Sequence, residues 1–314
     1  MVKVGCVTLD TSHPKSFAFR MTDESMAMGY THVWDKNFRG KEELEWFANK
    51  YNLEICDDLS DMAKKVDIAF IQTTNWEKRL DWAKPFIDAG KPVFMDKPLV
   101  GSVKDVAKVR ELVAGGAKIL GASSLRYCEE IQNFLKEPVE TRGEILTIFG
   151  TAGNNEFDYC VHIVEAFSAL AGAKAVSGRY DGASRTADGK VCHINTVKFE
   201  NGIIGTYYNV HGRYSPFHIT VMTTKQTRSF VIDTLRIYQP MLREICKEVA
   251  LGSSKLVDVE PILNCTEAML CCKKSRDEMN GAEVTIDQLG ADDKFDGYAH
   301  EAAYAAAAGK IYKD

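Results

Sequence analysis

The chain has 314 residues, 45% of them hydrophobic and 26% charged, with a formal net charge of -5. That length suffices for two ordinary domains, each with its own core. Mild acidity gives no electrostatic footprint for nucleic acid, and no apolar run approaches the roughly 18 residues that span a bilayer. The opening MVKVGCVTLD runs straight into a strand pattern and lacks the layout of a secretory signal. Nine scattered cysteines read as reduced thiols rather than a disulfide framework, so a cytoplasmic location is expected.

Strand and helix signals alternate from residue 1 to 122, the grammar of a doubly wound parallel sheet. Val2 to Leu9 reads as a short buried strand. The small polar turn Asp10-Thr11-Ser12 follows, and Pro14 suits the first turn of a helix. A second strand ends near Asp35. Leu44, Phe47, Ala48 and Tyr51 mark one face of an amphipathic helix. Asp67 to Gln72 is an apolar run between polar ends, the mark of a buried strand. Asn75 caps the next helix, which Pro85 kinks or shortens and Gly90 ends. Pro92 to Met95 is another strand. Ser102 with Asp105 opens a helix carrying Val106, Val109, Leu112 and Val113 inward, and Ile119 to Ala122 is a last strand.

From 123 to 314 the pattern is that of an α+β domain with a mostly antiparallel open sheet. Asp188-Gly189 and Asn201-Gly202 are hairpin signals that bracket Val191 to Phe199, with Ile203 to Val210 after them. Three strands are therefore expected to form a meander. Phe217 to Met222 and Ser229 to Ile232 are further strand candidates. Helical patterns cover 155–171, 235–251 and 261–279. Residues 302–308 stand out only as Ala-rich.

Two segments carry chemistry. Thr73-Thr74-Asn75 leads, at Ala89-Gly90-Lys91, to a second motif that ends in Asp96-Lys97-Pro98. Further on, Asp158 and His162 lie four apart and so share a helical face. The first segment resembles the glucose–fructose oxidoreductase and inositol dehydrogenase family, whose first domain carries T-P-N-x-x-H and then A-G-K-x-V-x-x-E-K-P. Here Thr replaces the Pro, Lys78 the His, and Asp96 the Glu. The second is similar to that family's D-x-G-x-H-x-x-D, with Cys160 for the Gly and Glu165 for the last Asp. The resemblance extends over most of the chain.

It implies a Rossmann-like domain at 1–122, a substrate-binding and oligomerisation domain at 123–314, and a catalytic set of Lys97, Asp158 and His162. The implied activity is NAD(P)-dependent hydride transfer at a secondary alcohol or ketone of a sugar, cyclitol or related polyol, in a homodimer or homotetramer. The residue chemistry agrees. A neutral imidazole can accept a hydroxyl proton, a carboxylate can orient it, and a lysine at the end of a parallel strand can polarise the reacting oxygen. Arg126, Tyr127, Asn154 and Asn155 join these three as candidate substrate contacts. The histidines do not form a metal-ligand pattern, so no metal is expected.

One feature departs from the pattern. Where a dinucleotide turn reads G-x-G-x-x-G, this chain has Thr8, Asp10 and His13. Thr11, Ser12 and His13 remain as candidate cofactor-binding residues at a helix N-terminus, and the resemblance implies Thr73, Thr74, Asn75 and Lys97 as cofactor-binding residues with them. Asp35, at the end of the second strand, is placed to grip a ribose diol and favours NAD, while Arg39 leaves NADP open. A redox-neutral sugar-modifying enzyme using bound NAD transiently, and a non-catalytic ligand-binding member of the fold, are the alternatives.

Overall fold

The computed structural model describes residues 1–36, 38–121 and 123–311. The first part alternates as expected: β1 (Val2–Val7), α1 (His13–Met21), β2 (Met28–Trp34), α2 (Lys41–Tyr51), β3 (Glu54–Ile55), α3 (Leu59–Lys65), β4 (Ile68–Ile71), α4 (Arg79–Asp88), β5 (Val93–Met95), α5 (Val103–Ala114) and β6 (Ile119–Gly121). The strands pair in parallel in the order β3-β2-β1-β4-β5-β6. Chain direction across the sheet reverses beside β1, so a crevice opens at the carboxyl ends of β1 and β4, where such sheets bind ligands.

Local chemistry explains the boundaries. Ser102 accepts a bond from the Asp105 amide at the start of α5, as its capping pattern predicts. Pro85 does not shorten α4, which continues to Asp88 before Gly90 turns the chain at φ 69°. Of the residues read as inward on α5, Val106 and Val109 are buried but Val113 is exposed. Ala122, read as the end of the last strand and of the first domain, lies outside the described residues.

The second part runs α6 (Glu129–Lys136), α7 (Val139–Arg142), β7 (Ile145–Asn154), α8 (Glu156–Ala171), β8 (Ala175–Arg185), β9 (Val191–Phe199), β10 (Ile204–His211), β11 (His218–Thr223), β12 (Thr227–Val231), α9 (Tyr238–Leu251), α10 (Val259–Asp277), β13 (Val284–Thr285) and α11 (Gly297–Ile311). Its sheet has the order β12-β11-β7-β10-β9-β8-β13. The meander β8-β9-β10 is present, and Gly189 and Gly202 take the positive φ that their turns require. β7, which no sequence signal marks, lies in the middle of the sheet and makes its single parallel contact, with β10.

One face of this sheet is covered by α8 and α10. Gly150 on β7 and Gly205 on β10 admit Phe167 of α8 so closely that a Cβ at position 205 would fall 2.4 Å from its ring. The other face is open. The first core is not confined to the first 122 residues, because Met241, Leu242 and Ile245 of α9 and Ile262 and Leu263 of α10 are buried in it.

Candidate functional site

Lys97 leaves the end of β5 in the segment Asp96-Lys97-Pro98, whose Lys97–Pro98 peptide is cis. Its Nζ donates to Asp158 Oδ1 at 2.9 Å and to the Asp158 carbonyl at 3.1 Å. Asp158 lies in the first turn of α8, where Asn155 caps the helix by accepting the Asp158 amide. The ion pair therefore joins the two parts of the chain, with side chains only 11% and 14% exposed. Burial opposes the charge on Asp158, yet the Lys97 ammonium holds its carboxyl well below the usual range. Burial likewise works against the Lys97 charge, and Asp158 with Asp96 more than restores it, so its pKa lies above the ordinary value.

The segment carrying Lys97 is held from behind by Arg79, a residue that sequence reasoning misses. Its fully buried guanidinium donates to the carbonyls of Thr73, Asp96, Lys97 and Pro98, tying the loop after β4 to the loop after β5. Burial lowers its pKa to about 10, which leaves it charged at neutral pH. A lone arginine in Asn75-Trp76-Glu77-Lys78-Arg79 carries no signal of this brace in its spacing. Asp96 accepts from His13 Nδ1 at 2.5 Å, which fixes the N-terminus of α1 against β5.

A cavity of about 60 Å³ sits at this junction. Thr11, Ser12, His13, Thr74, Lys97 and Asp158 line it, together with Arg79, Asp96, Tyr159, His300 and Tyr304. His162 stands behind it. The His162 ring is buried, packs edge-on to Phe217 and bonds Ser123 Oγ through Nδ1. Its Nε2 has no hydrogen-bond partner among the described residues. Burial, then the Lys97 charge, push its pKa well below the ordinary value, so it is neutral at pH 7. The three sequence candidates are thus neighbours, with two on the cavity wall and the third one layer deeper.

The glycine-less turn keeps the backbone of a glycine turn. Thr8, at the place of the first glycine, adopts φ 72°. Asp10, at the place of the second, does not line the cavity. Its carboxylate is turned toward the β4 loop and accepts bonds from Thr73 Oγ1 at 2.7 Å and from the Thr74 amide at 3.2 Å. Burial raises its pKa. Asp35 accepts the Leu9 amide at 2.9 Å, and Arg39 Nε donates to the Leu9 carbonyl at 2.8 Å, so both brace the turn.

Other candidates are drawn elsewhere. Arg126 is buried in an ion pair with Glu165, the residue at the last position of the helical motif, and Glu165 also accepts the Ser123 amide. The Tyr127 hydroxyl accepts the Val257 amide, and burial pushes its pKa up to about 12. Neither side chain faces the cavity. Asn154 turns the chain at φ 72°, Asn155 is spent as the α8 cap, and Asn75 caps the 3-10 turn Trp76–Lys78.

A second cavity, of about 450 Å³, lies next to the first and shares His300 with it. Asn155, His193, His211 and Arg276 are among its lining. A larger groove of about 1060 Å³ runs past Val2, Pro92 and Lys118, at the amino ends of the parallel strands and so away from the crevice. No group of three or more His, Cys, Asp or Glu side chains among the described residues is placed to hold a metal. No helix among them is long and apolar enough to cross a membrane.

Residues 13–123 match the family described as "Oxidoreductase family, NAD-binding Rossmann fold". That match lies over most of the six-stranded parallel sheet, whose fold is Rossmann-like. No curated protein sequence matches the chain. Solved structures share its fold over nearly the whole length. The scyllo-inositol dehydrogenase of Lactobacillus casei, solved with bound NAD(H) and scyllo-inositol, superposes with a TM-score of 0.76 at 16% identity, covering 92% of this chain and 100% of its own. The myo-inositol dehydrogenase of the same organism, in complex with NAD(H) and myo-inositol, gives 0.77 at 14%, covering 92% and 98%. A probable dehydrogenase of Thermotoga maritima gives 0.76 at 16%, covering 92% and 100%. The resemblance read from Thr73-Thr74-Asn75 and Asp96-Lys97-Pro98 thus agrees with both the family match and the fold.

Proposed function

We propose that the protein is an NAD-dependent oxidoreductase that moves a hydride to or from a secondary alcohol or ketone of a sugar, cyclitol or related polyol. The observation that carries this reading is the Lys97–Asp158 pair, which sits at the carboxyl end of β5 beside the N-terminus of α1. The cleft fits a dinucleotide in two respects: Thr8 supplies the backbone shape of the missing glycine, and Asp10 turns its charge away from the cavity. Thr11, Ser12 and His13 would hold phosphate at the helix N-terminus, with Thr74 and Lys97 beside them. NAD, when bound, supplies the hydride acceptor.

The chain's own residues manage the proton. Oxidising an alcohol requires its hydroxyl proton to leave as the carbon loses hydride and the carbonyl forms. His162 is held neutral, and its Nδ1 is engaged by Ser123, so Nε2 is the nitrogen left to take that proton. Lys97 polarises the reacting oxygen and favours its deprotonated form. Asp158 keeps Lys97 charged and aimed. The open face of the second sheet, where Phe149, Ile204, Met222 and Val231 are exposed together, is the surface expected to pair two subunits.

Calorimetric titration with NAD, NADH, NADP and NADPH tests the reading, with binding of the NAD forms expected. Lys97→Met is then expected to slow cyclitol or sugar oxidation by about a hundredfold or more. Failure of all four nucleotides to bind at millimolar concentration would remove the dehydrogenase reading.

A further inference from the structure

The C-terminal helix α11 lies across the mouth of the cleft just described. His300 stacks on Trp76 at 5.0 Å, and His300 and Tyr304 form part of the wall of the 60 Å³ cavity. Because His300 also lines the neighbouring 450 Å³ cavity, the helix borders two spaces, the smaller of which is lined by Lys97 and Asp158. A void of 60 Å³ holds about two waters, whereas ligand pockets typically measure about 300 Å³ or more. The 60 Å³ space that α11 helps to wall is therefore smaller than a ligand pocket.

Polar bonds and ring contacts both hold α11, the latter including Tyr298 on Lys78 and Tyr304 with Phe38. Both carboxylate oxygens of Glu301 accept from Lys78 Nζ, at 2.7 Å each, and one of them also accepts from Asn75 Nδ2 at 3.1 Å. Glu77 accepts the Gly297 amide at 2.8 Å. From Tyr298 to Ala307 no described residue of the helix is buried, and only His300, Glu301 and Tyr304 are even half-covered. Asn75 and Lys78 both belong to the segment that follows β4, at the crevice where the sheet binds ligands.

We propose that α11 is an internal competitor for the ligand cleft, with the Glu301 carboxylate occupying a seat on Asn75 and Lys78 that a phosphate of the incoming dinucleotide takes over. This rests on the cofactor reading above. Ligand binding then requires the helix to leave, and the apparent affinity is reduced by the fraction of molecules in which the cleft is closed. On release, the Lys78 ammonium becomes a further cation facing the ligand.

NADH, followed by its fluorescence, is the probe. Glu301→Ala and the isosteric Glu301→Gln each remove the carboxylate from the seat and are expected to bind NADH at least fivefold more tightly than the unaltered chain. Ala302→Ser, at an exposed position of the same helix, is the control and is expected to leave the affinity unchanged. Hydrogen exchange of the α11 amides is expected to quicken when NADH is added to the unaltered protein. Equal or weaker NADH binding by both Glu301 variants, or slower exchange in α11 on binding, overturns the proposal while leaving the cofactor reading in place. Absence of NADH binding by every variant overturns both.

Discussion

The inner and outer walls of the cleft are built by different means. On the inner side, Lys97, Asp158, Asp96 and Arg79 are nearly or fully removed from solvent, and each is bonded to a charged partner or to backbone carbonyls. The outer side is α11, an Ala-rich helix held through the Glu301 carboxylate, the Gly297 amide, the His300–Trp76 stack and the ring contacts of Tyr298 with Lys78 and Tyr304 with Phe38. Buried charges that lose a partner are costly, whereas exposed ion pairs contribute little. The first wall is therefore costly to disturb, whereas the ion pair that holds the second is more hydrated.

The largest expected effect tests the rigid wall. Asp158→Ala leaves the Lys97 ammonium in a nearly dry site and should lower unfolding stability by about 3 kcal/mol or more, read from urea titration. A loss below about 1 kcal/mol would erase the contrast between the walls.

Next is the pH dependence. The folded pKa of His162 is depressed, so below about pH 6.5 the unfolded chain binds a proton that the folded chain refuses. Stability should therefore fall as pH drops from 7 to 5, with a limiting slope from this one ring of about 1.4 kcal/mol per pH unit. Replacing the ring by His162→Gln should flatten that slope. Burial lowers His193 and His300 too, which adds slope in the same direction, while the raised carboxyls of Asp10 and Glu165 act in the opposite one. An unchanged slope in the variant would place His162 in contact with water.

The smallest effect belongs to the outer wall. Glu301→Ala should change unfolding stability by less than about 1 kcal/mol, because Lys78 and Glu301 are both partly hydrated. A larger loss would make α11 a structural element rather than a cover.

How much the amino-acid sequence reveals differs from place to place. The six parallel strands and the β8-β9-β10 meander are legible because apolar runs and Asn-Gly or Asp-Gly turns are local signals. β7 is not, since its inward positions include Gly150 and its outward ones include Phe149, which blurs the alternation that marks a strand. Lys97 and Asp158 are found through motif spacing. Arg79 and His300 are not, because their placement depends on contacts across the fold and, for His300, on a helix whose Ala-rich residues carry almost no amphipathic pattern. The ion pair of Arg126 gives no local sign either, because its partner Glu165 is 39 residues away in the chain.

The passage of α9 back onto the first sheet has a consequence for biosynthesis. Met241, Leu242 and Ile245 seal a core that otherwise comes mostly from the first half of the chain. As the polypeptide emerges from the ribosome, the early strands can assemble but must wait for more than a hundred further residues before that apolar surface is covered. During the interval the nascent sheet is a target for chaperones, and an isolated N-terminal fragment would carry the same exposed patch.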